Sequence, residues 1–378
     1  MHIRGRALTI ASALLVALLI VSALASAQNK GSQKVDKARQ AEIAQAVKIV
    51  DDVMAGQPGP ADFTFTWLNH HFMKSRDNKE YVPFLLGFDK DQKIPPTVSY
   101  YIRVVNKATI GEQMKTMAAY KESIEKADNQ AKLDPENTDL ADAANRLREK
   151  APKIDYAFED FKTYNLNTGG QAFKIPSALM AGTGEYDVYV LLKEPQANVK
   201  DKKAQPRAGL LKTSIAVPDF WNDELATSSV LITNQVEQLK TPPTQDEINK
   251  NPYVFGMTKV IIPTEAKFAK TSELSIIFYI YNTGLDQATG KPNLTVDYAF
   301  YRKADGAEKF FNRTQPQAIN AATLDPSFDP KMGHQVPGGL AIPLASFSEG
   351  DYRLEIKIAD KVTGKTKIQS APFTVTAQ

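Results

Sequence analysis

One strand phrase occurs twice in this chain, and that repetition constrains the fold more than any other feature. The first copy is Ile175-Pro176-Ser177-Ala178 followed by Gly184-Glu185-Tyr186-Asp187-Val188-Tyr189-Val190. The second is Ile342-Pro343-Leu344-Ala345 followed by Gly350-Asp351-Tyr352-Arg353-Leu354-Glu355-Ile356. The offset is 167 positions from Ile175 to Ile342 and 166 from Gly184 to Gly350, so the copies stay in step across the loops between them. Each copy sets a glycine and an acid ahead of a strand that begins with tyrosine. Two related β modules are expected, each at ~100–150 residues long enough to bury its own core.

The alternation inside the strands says how such modules are layered. Over 352–358, Tyr352, Leu354, Ile356 and Ile358 share one face while Arg353, Glu355 and Lys357 share the other, the pattern of a sheet with one wet side. Over 274–281 both faces are apolar or aromatic, so that strand is expected to be central or to meet the other module. A smaller repeat, D-x-x-T-G-K at 286–291 and at 360–365, predicts two hairpins of one design, with Asp starting the turn and Gly taking the positive φ that ends it. Short strands separated by such turns predict a mainly β fold of two Ig-like antiparallel sandwich modules, not a parallel sheet with crossover helices.

Two segments break the β period. Ile43, Val47, Val50 and Met54 recur at helical spacing before Gly56, Pro58, Gly59 and Pro60, which predicts one amphipathic helix that either docks on the first module or pairs with a partner's helix. Between 109 and 150, Ile110, Met114, Met117 and Ile124 form one stripe and Leu140, Ala143, Ala144 and Leu147 another. This predicts a helical hairpin inserted in the first module, with Asp134-Pro135 starting its second helix. The expected organisation is a signal peptide over 1–27, helix and linker over 28–60, a first sandwich over 61–220 carrying the insertion 109–150, and a second sandwich over 221–378.

Arg4 and Arg6, an apolar run over 7–24 and the small residues Ala25 and Ala27 fit a secretory signal peptide cleaved after Ala27, a retained membrane anchor being the rival reading. After residue 28 no apolar stretch approaches spanning length, so the mature chain is expected to be periplasmic or extracellular with no membrane span. Of 46 Lys and Arg, two fall in the leader; the remaining 44 against 43 acids leave about +1, which gives no long-range pull toward nucleic acid or anionic lipid. There is no Cys, which removes disulfides, thiolate chemistry and lipid attachment to an N-terminal Cys.

Residues that carry chemistry are sparse. His70 and His71 are strand neighbours that point to opposite faces, and His334 sits in a Gly/Pro-rich loop, so solvated or edge-strand positions and no metal site are expected. Thr363-Gly364-Lys365-Thr366 has Ala359 where a phosphate-binding loop needs its first Gly. Gly169-Gly170 and Gly338-Gly339 lack the third Gly of a dinucleotide fingerprint. Asp89, Asp91 and Gln92 start a calcium loop that has no central Gly or closing Glu. Glu159 and Asp160 are the acids considered for glycoside hydrolysis. No catalytic residue and no cofactor is assigned. The expected function is a non-catalytic binding or scaffold role in the cell envelope, with an envelope protein or a glycan as partner; the alternative is a carbohydrate-binding or carbohydrate-acting protein. Its expected contact surface joins Phe220 and Trp221, at the edge between modules, to Met114 and Met117 on the hairpin, and Tyr100, Tyr101, Tyr279 and Tyr281 are candidate stacking rings.

The second half carries a resemblance. Val217-Pro218-Asp219-Phe220 with Ser228-Ser229-Val230-Leu231, Ile280-Tyr281-Asn282 with Thr289-Gly290-Lys291-Pro292, and the stretch 343–360 resemble exported bacterial proteins frequent in Acidobacteria, related to β regions that follow von Willebrand factor A-like domains. The resemblance spans about residues 210–378 and implies export and a β-sandwich. No D-x-S-x-S run and no A-like domain are present, so metal-dependent adhesion does not carry over.

Overall fold

The computed structural model describes residues 37–88, 92–166, 174–196, 205–304 and 306–377. The expected leader with Ala25 and Ala27, the Asp89/Asp91 pair and Gly169-Gly170 lie outside the described residues.

The N-terminal half runs helix α1 (Lys37–Met54), strands β1 (Thr66–His70), β2 (Met73–Lys74), β3 (Glu80–Gly87) and β4 (Thr97–Asn106), helices α2 (Ile110–Leu133) and α3 (Thr138–Lys150), then β5 (Phe158–Asn165), β6 (Lys174–Ala181), β7 (Gly184–Lys193) and β8 (Ala208–Val217). The C-terminal half runs β9 (Ala226–Thr227), β10 (Leu231–Thr233), β11 (Val236–Gln238), α4 (Gln245–Lys250), β12 (Val254–Phe255), β13 (Thr258–Val260), β14 (Lys267–Ala269), β15 (Glu273–Tyr281), β16 (Leu294–Ala304), β17 (Ala307–Arg313), β18 (Gln317–Ile319), β19 (Val336–Pro343), β20 (Gly350–Asp360) and β21 (Thr366–Thr376). The chain is mainly β.

Strand order repeats between the halves. In the first, β3 lies between β6 and the pair β1 and β2, and the facing sheet runs β5-β4-β7-β8. In the second, β15 lies between β19 and the pair β9 and β10, and the facing sheet runs β17-β16-β20-β21, with β14 added in parallel to β21. Alternate residues fill the space between facing sheets. Phe84 and Leu86 of β3 meet Tyr100 and Ile102 of β4 and Val188 and Val190 of β7 in one core. Ile276 and Phe278 of β15 meet Tyr298 and Phe300 of β16 and Leu354 and Ile356 of β20 in the other.

The repeated phrase has one geometry in both places. Gly184 and Gly350 open β7 and β20 at φ 147° and 138°, where a side chain is disfavoured. Two residues on, Tyr186 donates its hydroxyl to the Gly182 carbonyl at 2.9 Å and Tyr352 donates to the Ser348 carbonyl at 2.8 Å, each four residues back. The D-x-x-T-G-K turns also match in their bonds, but only 360–365 closes a hairpin, between β20 and β21; 286–291 carries the chain from β15 to β16 in the facing sheet. Asp286 N–H donates to the Lys291 carbonyl and Gly290 N–H to the Asp286 carbonyl, and the same bonds recur between Asp360 and Lys365 and between Gly364 and Asp360. The two turns lie side by side, since Gly284 N–H donates to Asp360 Oδ2 at 2.7 Å and Lys361 N–H to the Asn293 carbonyl.

The sheets stack beyond the two sandwiches. All eight residues of β3 are buried, and so are the last eight of β15. Their second faces meet each other: Tyr81 and Leu85 of β3 join Ile277, Tyr279 and Tyr281 of β15 in a third core, with Tyr253 and Phe255 from beside the small sheet β11-β13-β12 filling in. The apolar character of 274–281 on both faces is explained by this contact. Phe72 and Ser229 exchange bonds across it: Phe72 N–H donates to Ser229 Oγ and Ser229 N–H to the Phe72 carbonyl.

Helix α1 docks on the outer face of β4 and β7. Ala46 and Val50 pack against Tyr101, Val105, Tyr189 and Leu191, and full burial of Val50 alone is worth about 1.5–3 kcal/mol. Two buried cations on this face are met by acids of the helix. Lys193 pairs with Glu42 at 2.8 Å, and Arg103 pairs with Asp51 while its Nε donates to Glu159 at 2.8 Å. Of the two readings of the amphipathic stripe, docking on the chain's own sheet is the one observed.

Helices α2 and α3 stand between β4 and β5, where the second half has only the tight connection from β16 to β17. No residue of α2 is buried and α3 buries only Ala144, so the hairpin adds little to the body. The expected start of its second helix is corrected. Asp134 caps the end of α2 with ψ 74°, outside the helical region that the following proline disfavours, and α3 begins after Asn137.

Candidate functional site

A cleft of about 450 Å³ opens where the two halves meet. The β2–β3 turn contributes Lys74, Ser75 and Arg76, and the connection from β8 to β9 contributes Trp221. The end of β15 with the following loop adds Tyr279 to Leu285, and the β18–β19 connection adds Met332 and His334 to Val336. The local chain is shaped to bring these together. Asp77 and Asn78 take φ of 54° and 53°, which turns β2 back into β3 so that Lys74 lies opposite Glu80. Asn282 takes φ 58° and donates its side-chain amide to the Phe220 and Glu224 carbonyls at 3.1 and 2.9 Å, pinning the connecting segment.

Lys74 is the centre of this arrangement. Its ammonium lies 4.4 Å from the Trp221 ring centroid and donates to Asn282 Oδ1 at 2.8 Å. Its backbone N–H donates to the Tyr281 hydroxyl and its carbonyl accepts from Gln335 Nε2 at 3.0 Å. Burial lowers the Lys74 pKa, while the charges of Asp223, Glu80 and Asp219 push it back up. Five polar atoms of cleft-lining residues are buried without a hydrogen-bond partner: Ser75 Oγ, Arg76 Nε, Trp221 Nε1, Tyr279 Oη and Gln335 Oε1. Unpaired buried groups cost about 1–3 kcal/mol each, so several in one place call for a cause. Leu285 and Met332 are exposed on the rim, at 38% and 65%.

Beneath the cleft lies Glu80, wholly buried, with Oε1 accepting from Phe220 N–H at 3.4 Å and Oε2 unpaired. Burial pushes its pKa up to about 7, the Phe220 N–H opposes that shift, and the charge of Asp219 adds to it.

The residues expected to form one contact surface fall in different places. Trp221 lines the cleft, whereas Phe220 is buried and packs on Tyr281 with ring centroids 5.0 Å apart. Met114 and Met117 line a separate groove of about 560 Å³ between α1, α2 and the outer sheet, together with Met54, Arg103 and Tyr156. The groove and the cleft share no residue, and two sheets lie between the faces they occupy. The candidate stacking rings Tyr100, Tyr101, Tyr279 and Tyr281 are all buried and belong to cores, because their strands are covered on both faces. His70 and His71 are half-buried rather than solvated, because β1 faces the second half. Trp67 Nε1 donates to His70 Nδ1 at 3.0 Å, and His71 Nδ1 meets the Tyr253 hydroxyl at 2.9 Å. Burial, reinforced by the charge of His70, lowers the His71 pKa to about 4. His334 Nδ1 accepts from Asp329 N–H at 2.9 Å. Glu159 is held by Arg103 and Tyr101, and Asp160 pairs with Lys162 at 2.8 Å. Among the described residues no group of three or more His, Asp or Glu is placed to hold a metal ion, and no helix is long and apolar enough to cross a membrane.

Sequence reasoning reached Trp221 but missed Lys74, Arg76 and Gln335. They come from two segments, one in each half, that only the face-to-face packing of the halves brings together, and no spacing in the chain marks them. Compared with protein-family models and with curated proteins, the chain matches none.

Proposed function

We propose that this chain is an exported, non-catalytic binding protein made of two Ig-like sandwich modules, and that the cleft around Trp221 and Lys74 is its ligand site. The Ig-like reading is supported by the repeated strand order and by a tyrosine at the same strand start in each half bonding back to the chain, a known corner of that fold. Export rests on the Arg4/Arg6 leader with Ala25 and Ala27. One observation carries the binding reading: five unpaired polar atoms belong to residues of a single cleft beside an aromatic ring. Pockets with a few convergent polar groups at the meeting of two modules are the usual place for ligands. A second reading, a carbohydrate-binding protein, rests on the Trp221 ring in the same cleft, where a sugar face would stack.

The chain has two Trp, so an NMR spectrum of the labelled protein has two indole N–H signals. That of Trp67 is held by His70, whereas that of Trp221 has no partner. A panel of peptides, organic acids and oligosaccharides is expected to contain ligands that move the Trp221 signal and leave the Trp67 signal in place. A panel that leaves Trp221 unmoved refutes the site.

A further inference from the structure

Resting on that reading of the cleft, we infer that its ligand carries a carboxylate beside an amide N–H and an apolar side chain, the chemistry of a peptide's C-terminal residue. Charge argues for the anion. The charged residues that line the cleft are Lys74 and Arg76, and no Asp or Glu lines it. Lys74 spends one donor on Asn282, leaving two for a ligand, and Arg76 Nε has no hydrogen bond, its carboxylate neighbour Asp77 standing 3.7 Å away. Trp221 Nε1 is a further unused donor. His334 accepts at Nδ1, so in the neutral ring its other nitrogen carries the proton and donates as well. The cleft wall is therefore rich in donors, and both of its cations stand at the lining while the acids that face them, Asp77, Asp219, Asp223 and Glu80, stand behind it.

The acceptors are few and equally telling. Gln335 Nε2 is committed to the Lys74 carbonyl, which fixes the amide so that Oε1 is the free end. That oxygen asks for a donor such as a peptide N–H. The apolar part is met by Ile280, Leu285, Met332 and Val336 on one wall. A neutral sugar brings no anion to the free donors of Lys74 and Arg76, and a bare phosphate leaves the apolar wall and Gln335 without a partner. The orphaned atoms are covered in this arrangement, so contact with the ligand requires a side-chain rotation at the cleft wall.

The experiment titrates the full chain with N-acetyl-Leu-Phe as the free acid and as its C-terminal amide, with octanoate, and with a neutral disaccharide, reading the Trp221 indole signal. The free acid is expected to bind, the amide about tenfold or more weakly, and added salt to weaken the acid alone. Octanoate separates a simple organic acid from a peptide end: binding as tight as the acid peptide's removes the assigned role of the N–H at Gln335 and overturns the peptide class. Lys74→Met, which keeps the aliphatic stem, and Arg76→Gln each are expected to lower affinity for the acid about tenfold without changing affinity for the amide. Equal binding of acid and amide overturns the inference, as does a disaccharide that moves Trp221 when the acid does not; in both cases the cleft stands as a site. A Trp221 signal that none of the four moves, in a protein whose spectrum is otherwise folded, overturns the inference and leaves the broader panel to decide the site.

Discussion

Replacing Glu80 by Gln is expected to stabilise the protein at alkaline pH and to do so progressively less as the pH falls. Glu80 is wholly buried at the start of β3, with one oxygen on a long bond from Phe220 N–H and the other unpaired. Its folded pKa, pushed up to about 7 by burial, stands above an ordinary value of 4.5. A carboxyl whose folded pKa is raised holds its proton in the folded state after the unfolded chain has released it. Stability is therefore intact below about pH 4.5 and falls as the pH rises toward 7, where the loss levels off. A gap of 7 minus 4.5 corresponds to about 3 kcal/mol at pH 8 and under about 1 kcal/mol at pH 5. Glutamine keeps an acceptor for Phe220 N–H and carries no titration, though its amide adds a pH-independent cost of about 1–3 kcal/mol if unpaired. The informative quantity is thus the change in the difference between variant and parent, about 2–3 kcal/mol in favour of Glu80→Gln between pH 5 and pH 8. Urea unfolding of both proteins at pH 5, 6, 7 and 8 measures it. Parallel stability curves would show that Glu80 is ionised in the folded protein, and the reasoning from its burial would fail.

Two further outcomes follow from the fold. Tyr186→Phe and Tyr352→Phe each leave a strand-corner carbonyl without its donor, and each is expected to cost about 1–2 kcal/mol in chemical denaturation, additively in the double variant because the corners share no partner. A neutral double variant would reduce the corners to ornament. Replacing 108–155 by a three-residue turn is expected to remove much of the helical circular dichroism and cost less than about 2 kcal/mol, since α2 buries no residue and α3 only Ala144; global unfolding of that variant would show the hairpin to be part of the core.

Much of the architecture was legible because it is written in local periods. The alternation in 274–281 and 352–358, the D-x-x-T-G-K turns and the stripes of 110–124 and 140–147 each carry their own physical signature, and the structure puts strands, turns and helices there. Strand β19 escaped because Pro337, Gly338, Gly339 and Pro343 read as a loop. Its glycines have a packing reason: a Cβ on Gly338 would meet the Phe278 ring at 2.4 Å and one on Gly339 the Ile276 carbonyl at 2.8 Å. Phe63, Phe65 and Trp67 alternate as a strand would, yet β1 begins only at Thr66; Phe63 and Phe65 reach the core all the same, and a bulge between Trp67 and Asn69 shifts the pairing. The cleft was the least legible part. Trp221 is visible in sequence as a rare residue beside a Pro-Asp-Phe corner, but Lys74 and Gln335 are 261 positions apart and meet only through the stacking of β3 on β15.

That stacking also makes the two halves depend on each other. A sheet with one wet face can be separated from its neighbour and survive; β3 and β15 have no wet face left. Cutting the chain near residue 221 would strip Tyr81 and Leu85 on one side and Ile277 and Tyr279 on the other of their cover, two apolar surfaces of the kind that seeks any partner at hand. The two halves meet through a buried apolar seam rather than a bare linker, so neither half has a complete surface of its own.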